Sequence, residues 1–213
     1  FGHSTIDFSS ARRETYAGPA VAPKVSAGDL ASDLRRRDFS VNALAIEASP
    51  GSFGSLLDQV DGAADLANRT LRTLHDASFV DDPARLIRGV RFERRLNFRF
   101  NAVTAAFFAD AVDRKLCSLL SPRRLFDELR KLAREQDALE MLRRLDELGL
   151  LRQILPHANP AAAIVARGEM NVLASLYAAI DEGALLEDFQ RFNLSGVERA
   201  AIVQAHAELR EAP

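Results

Sequence analysis

The chain has 213 residues, 47% hydrophobic and 27% charged, with a formal net charge of −2. Charge so near balance excludes a protein that coats nucleic acid through bulk attraction, though not one with a local basic groove. A single cysteine, Cys117, excludes an internal disulfide and a multi-cysteine zinc site and fits a reducing cytoplasm. No apolar run approaches the roughly 20 residues of a membrane helix.

Residues 4–11, STIDFSSA, alternate polar and apolar side chains and predict a strand. AGPAVAPKVSAG, 17–28, carries proline and glycine punctuation and predicts a loop. From Asp29 on, helical signals dominate. DFSVNALAIEA, 38–48, predicts a short helix, SPGSFGS a turn, and LLDQV, 56–60, a brief strand. VDGAADLANRTLRTL predicts a loop leading into a short helix or strand. Long amphipathic helices are expected over 82–96, 101–116, 122–135, 137–148, near 170–182 and over 195–210. Ser121 with Pro122 reads as an N-cap followed by proline in the first helical position, and Gly149 as a helix stop. The fold class is α+β, predominantly α-helical: a small strand-containing piece, then a larger helical one. There is no fixed-period repeat.

Two charged stretches could carry chemistry. In RRRDFSVNALA, a helix starting at Asp38 puts Asn42 one turn further on the same face. A carboxylate and an amide there, beside Arg36 and Arg37, could hold a sugar hydroxyl and a phosphate together. On spacing alone, the simpler reading is Asp38 as an N-cap behind solvated arginines. In DDPARLIRGVRFERRLNFRF, 81–100, Arg85, Arg88, Arg91 and Arg95 share one helical side, and Leu86, Ile87 and Val90 the other. Asp82 and Arg85, three apart at an exposed helix start, can meet side by side and offer acceptors and donors to a base edge. An exposed basic face with ordinary ion pairs explains the same pattern. Asp7, followed by Arg12, could place one carboxylate near a metal, but one carboxylate is not a site. His3, His75, His157 and His206 lack ligand spacing and read as structural. Phe92, Phe107, Phe108 and Phe126 read as core.

RRDFSVNALAI, LLDQVDGAADL, DDPARLIRGVRFERRLNF and SPRRLFDELRKLA occur in one order, preceded by IDFSSARRETYAGPA. Together they resemble the class II tRNA nucleotidyltransferases, the CCA-adding enzymes and their bacterial poly(A) polymerase relatives, over about residues 5–155. The resemblance implies the C-terminal part of a nucleotidyltransferase head (1–66, mixed sheet plus helices), a helical neck that reads the base (67–133) and a helical tRNA-binding body (134–213). It implies that Arg37, Asp38 and Asn42 handle the ribose and phosphates of CTP or ATP. Asp82 and Arg85 match the base-reading pair, and Arg88 and Arg91 further nucleotide-binding arginines. Asp58, Gly62, Asp65 and Leu66 match a loop motif whose flexibility matters for changing specificity; Gln59 and Val60 depart from it. Asp81 stands where the family usually has glutamate. Ser121, Arg124 and Glu128 match a motif supporting the neck.

The implied reaction is template-independent addition of C, A or both to the tRNA 3′ end with pyrophosphate release. A poly(A) polymerase and a non-catalytic tRNA-binding helical protein are the alternatives. Two Mg²⁺ ions, tRNA, CTP and ATP are the implied cofactor and partners. Asp7 resembles the carboxylate of a later catalytic strand, and is the one candidate metal and catalytic carboxylate here. The family's G-G-x-V-R-D and D-x-D segments are expected upstream of this chain, with further residues missing between His3 and Ser4.

Overall fold

The computed structural model describes residues 6–163 and 166–211; His3 and the His3–Ser4 junction lie outside them. The first described element is an antiparallel hairpin, β1 (Arg12–Thr15) with β2 (Lys24–Ala27), in which Arg12 faces Ala27 and Thr15 faces Lys24. The strand expected over residues 4–11 does not form in its described part, residues 4 and 5 lying outside it, and β1 follows instead. Residues 6–11 carry no strand, and the stretch expected to be all loop supplies β2. Residues 6–10 are exposed, so their polar–apolar alternation has no face to bury. Helix α1 (Leu30–Arg35) follows, capped by Asp29, whose side chain accepts from the Ser32 N–H at 2.8 Å.

The helix expected over 38–48 does not form. Phe39 is extended, Ser40–Asn42 make a 3₁₀ turn, and β3 (Leu44–Ile46) pairs antiparallel with β4 (Leu56–Asp58). The Asp38 carboxylate bonds to the next backbone N–H at 2.9 Å, a local bond that competes with helix. Leu44, Ala45 and Ile46 then find strand partners across the 49–55 turn, where Gly54 has φ +87°. Phe39 and Ala43 are the apolar residues buried here, beside the buried polar Asp38 and Ser40; Val41, Leu44 and Ala45 are half-buried.

Helix α2 (Gly62–Ala67) and the two-residue strand β5 (Thr70–Leu71) complete the first part. A one-turn helix α3 (Ser78–Asp81) leads through Asp82 and Pro83 into α4 (Ala84–Leu96), which Asn97 ends in the left-handed region. Strand β6 (Arg99–Phe100) runs parallel to β5. Then come α5 (Ala102–Asp113), α6 (Pro122–Ala133), α7 (Ala138–Glu147), α8 (Leu151–Ile154), α9 (Glu169–Ser175), α10 (Glu182–Gln190) and α11 (Gly196–Glu211). Ser121 and Pro122 start α6 as expected, and Gly149, at φ +73°, follows α7. The helix expected near 170–182 stops at Ser175, and α10 was not foreseen.

One apolar core runs from Phe39 to Ala205 through α4, α6, α7, α9 and α11. Helix α4 is central: it packs on α6 and α7 through Leu86, Ile87 and Val90, all fully buried. Gly89 lets it approach β6 and Phe39, because a Cβ there would lie 2.9 Å from the Phe100 ring and 3.1 Å from Phe39. Of its polar residues, Arg85 and Arg88 reach back to the strand-containing part, while Arg91, Glu93 and Arg95 meet the later helical segments.

Candidate functional site

Asp38 organises the turn that opens the site. It is 5% exposed, yet both its oxygens are used. Oδ1 accepts from the Phe39 N–H at 2.9 Å and from Asn42 Nδ2 at 3.0 Å. Oδ2 accepts from Arg88 Nε at 3.0 Å and Nη2 at 2.6 Å. The expected meeting of residues 38 and 42 is thus realised on a 3₁₀ turn rather than an α-helix. Burial by itself would raise the Asp38 carboxyl, but the Arg88 charge, with the Asn42, Arg88 and Phe39 donors, holds it below the usual carboxylate range.

Asp82 and Arg85 stand at the start of α4, buried rather than exposed. Asp82 Oδ1 accepts from the Ala84 N–H at 3.1 Å, in the first turn of α4, and Oδ2 pairs with Arg124 Nη2 at 2.8 Å. Arg85 does not pair with Asp82. Its Nη1 donates to Ser78 Oγ at 2.7 Å and its Nη2 to the Arg36 carbonyl at 2.7 Å. These bonds join α3, α4, α6 and the end of α1.

The β1–β2 hairpin forms the facing wall. Arg12, Glu14 and Tyr16 are two apart and line the same side. Tyr16 Oη donates to Glu14 Oε2 at 2.9 Å, and burial together with that carboxylate pushes the phenol up to about 12. Asp33 gathers the neighbouring cations: Arg36 Nη2 lies 2.7 Å and Arg37 Nη2 3.1 Å from its oxygens. Between hairpin, turn and α4 lies a cleft of about 600 Å³. Arg12, Arg36, Arg37, Arg85, Arg88 and Arg124 line it against Glu14, Asp38 and Asp82, an excess of three positive charges. Phe92 supplies an aromatic face. Such a space suits a polyanion with a flat polar ring attached.

Of the expected site residues, Arg37, Asp38, Asn42, Asp82, Arg85 and Arg88 converge on this cleft. Arg91 does not line it; it turns to α6, 3.7 Å from Glu128 and 3.4 Å from Glu135. Asp58, Gly62 and Asp65 lie behind the Ser40–Asn42 turn. Asp58 accepts from the N–H groups of Val60, Gly62 and Ala63 at 2.9–3.1 Å. Asp65 accepts from Ser40 Oγ at 2.6 Å and Arg72 Nε at 2.8 Å. A Cβ on Gly62 would sit 2.4 Å from the Ser40 carbonyl, so only glycine lets α2 back the turn this closely. Arg12, Glu14, Tyr16, Phe92 and Arg124 were not expected to line the cleft. The first three had a signal in the period-two spacing of A-R-R-E-T-Y; Phe92 and Arg124 had none beyond their neighbours.

Asp7 is exposed and belongs to no strand. Among the described residues no three His, Cys, Asp or Glu side chains gather where they could hold a metal ion. The described residues therefore do not by themselves fit a two-metal centre. His157 and His206 are held structurally, His157 Nδ1 lying 2.9 Å from Asp188 and His206 Nε2 3.1 Å from the Tyr177 carbonyl. No described helix is long and apolar enough to cross a membrane.

Comparison with known proteins places this geometry in context. Residues 1–72 match the family described as the poly A polymerase head domain, and residues 97–162 the probable RNA and SrmB-binding site of polymerase A. An A-adding tRNA nucleotidyltransferase of Halalkalibacterium halodurans is 42% identical over 153 residues, covering 70% of this chain and 36% of its own length. A CC-adding tRNA nucleotidyltransferase of Deinococcus radiodurans is 47% identical over 90 residues, 42% of this chain and 24% of its own. A solved CCA-adding enzyme, apo form II, superposes with a TM-score of 0.79 at 28% identity, over 94% of this chain and 52% of that one. The chain thus spans between about a quarter and a half of the length of these three proteins.

Proposed function

We propose that this chain, which belongs to the family of tRNA nucleotidyltransferases and bacterial poly(A) polymerases, selects the nucleotide for template-independent addition to the tRNA 3′ end. The observation that carries the reading is the cleft itself, where six arginines, Asp38 with Asn42, and the Asp82–Arg85 corner converge. Arg37 and Arg88 suit phosphate oxygens, Asp38 and Asn42 suit ribose hydroxyls, and Asp82 and Arg85 suit the base edge. ATP is the substrate favoured by the A-adding relative aligned over most of this chain. CTP addition is the second reading, favoured by the higher identity of the CC-adding relative over its shorter stretch.

In this reading residues 1–66 belong to the head, 67–133 are the base-reading neck, and 134–213 are a body that holds tRNA through shape and phosphate contacts. The site is at work in the cytoplasm. Two Mg²⁺ ions would activate the attacking hydroxyl and stabilise the leaving oxygen in such enzymes. Asp7 is the one carboxylate of this chain that the family resemblance would set toward them. The chain's own part is to bind, orient and select the incoming nucleotide.

The test uses the complete gene product and three tRNA transcripts, ending before CCA, after CC and after CCA. CTP and ATP are supplied singly and together, and products are resolved to single nucleotides. Addition of one A to the CC-ended transcript alone supports the A-adding reading. C and C on the first transcript supports CC addition, and C, C and A followed by a stop supports full CCA addition. Unlimited A addition to any RNA end indicates a poly(A) polymerase. Binding of tRNA without any addition overturns the catalytic reading.

A further inference from the structure

Five of the six cleft arginines face a carboxylate: Arg12 meets Glu14, Arg36 and Arg37 meet Asp33, Arg88 meets Asp38, and Arg124 meets Asp82. Arg85 is the exception among the described residues. It is only 4% exposed, and its hydrogen-bond partners are all neutral: Ser78 Oγ at 2.7 Å, the Ser78 carbonyl at 3.3 Å and the Arg36 carbonyl at 2.7 Å. A buried guanidinium with directional neutral acceptors is fixed in orientation without being neutralised. Nη1 is spent on Ser78 and one Nη2 hydrogen on Arg36. The Nε–H and the second Nη2–H meet no acceptor among the described residues, and Arg85 borders the cleft.

From this geometry we propose that Ser78 is a positioning residue for nucleobase selection. Its hydroxyl orients the Arg85 fork so that one of the two remaining donors points at the ring nitrogen of the base edge. The inference rests on the reading that the cleft holds a nucleoside triphosphate. Adenine and cytosine both present a ring-nitrogen acceptor beside an exocyclic amine. Guanine and uracil present a ring N–H beside a carbonyl. A donor held still favours the first pair and leaves a donor facing a donor in the second. A donor free to swing can adapt to either. Ser78, at the first position of α3, is fully buried, so its hydroxyl acts from within the protein and need not touch the nucleotide.

The experiment measures equilibrium binding of ATP, CTP, GTP, UTP and inorganic tripolyphosphate to the complete gene product and to its Ser78→Ala variant, with thermal melting to compare the folds. The expected result is that preference for ATP and CTP over GTP and UTP falls about tenfold, the loss of one well-placed hydrogen bond, while tripolyphosphate affinity holds within about twofold. If Ser78→Ala does not fold, Ser78→Cys keeps the volume with a poor acceptor and is expected to give the same loss. An unchanged preference overturns the assignment. So does parallel weakening of all five ligands, which is what a merely structural serine would cause. A complete wild-type protein with no preference among the four triphosphates overturns the nucleotide-selecting reading itself, and this inference with it.

Discussion

Asp38→Asn removes one negative charge from the centre of the cleft while keeping the side chain's shape. The wild-type carboxylate serves four donors, two of them on Arg88 at 3.0 and 2.6 Å. Asparagine has one acceptor oxygen, so its amide N–H₂ must face either Arg88 or the Phe39 and Asn42 donors. Removing one partner of a buried ion pair costs about 3–5 kcal/mol. The Arg88 side chain is 37% exposed, so water relieves part of its stranded charge, and about 2 kcal/mol is the expected loss. For a chain of this size that is a fall of about 4–8 °C in Tm. The pH dependence follows from the depressed carboxyl of Asp38. A group whose folded value lies below its unfolded value of about 3.9 contributes stability above that value. The contribution is lost as pH falls through the folded value. Urea unfolding followed by circular dichroism should therefore show the full gap between wild type and variant at neutral pH, narrowing below about pH 4. A gap under about 0.5 kcal/mol at neutral pH, or one of constant size down to about pH 3, would refute the reasoning.

Gly62→Ala should push the Ser40–Asn42 turn out of register, because its Cβ would lie 2.4 Å from the Ser40 carbonyl. The expected cost is about 1–3 kcal/mol in urea unfolding, with weaker nucleotide binding; wild-type behaviour in both would show that α2 does not brace the turn. Leu86→Ala, in the fully buried face of α4, should cost about 2–5 kcal/mol, and a loss below about 1 kcal/mol would place that face outside the core. His157 is held above its ordinary value by its hydrogen bond to Asp188 and that carboxylate's charge. Its contribution is present below about pH 6.5 and lost as pH rises through the folded value. An NMR titration should place the imidazole midpoint above about 6.5, returning toward it in Asp188→Asn; a wild-type midpoint at or below that value contradicts the pairing.

The helices legible in the amino-acid order are those whose stabilising information is local. Ser121 with Pro122, Gly149 after α7 and the apolar face Leu86–Ile87–Val90 specify α6, the end of α7 and α4 through capping and 3.6-residue periodicity. The sequence also identified most of the residues that meet at the cleft, because one segment ending in R-R-R-D and another opening with D-D-P-A-R carry so many of its charges. Of the strands, LLDQV was legible locally and forms β4 (Leu56–Asp58), but its partner came from the packing. Residues 38–48 read as helix locally, and Leu44–Ile46 become a strand because Leu56–Asp58 lies alongside, a partner no short window reveals. Only the tertiary structure decided which charges act together. Arg88 and Arg91 are three apart on one helix, yet Arg88 meets Asp38, fifty residues away, while Arg91 turns to Glu128 and Glu135. Helical spacing sets only the angle at which each side chain leaves α4. Which carboxylate waits at the end of that direction is set by the packing of the 3₁₀ turn on one flank and of α6 on the other.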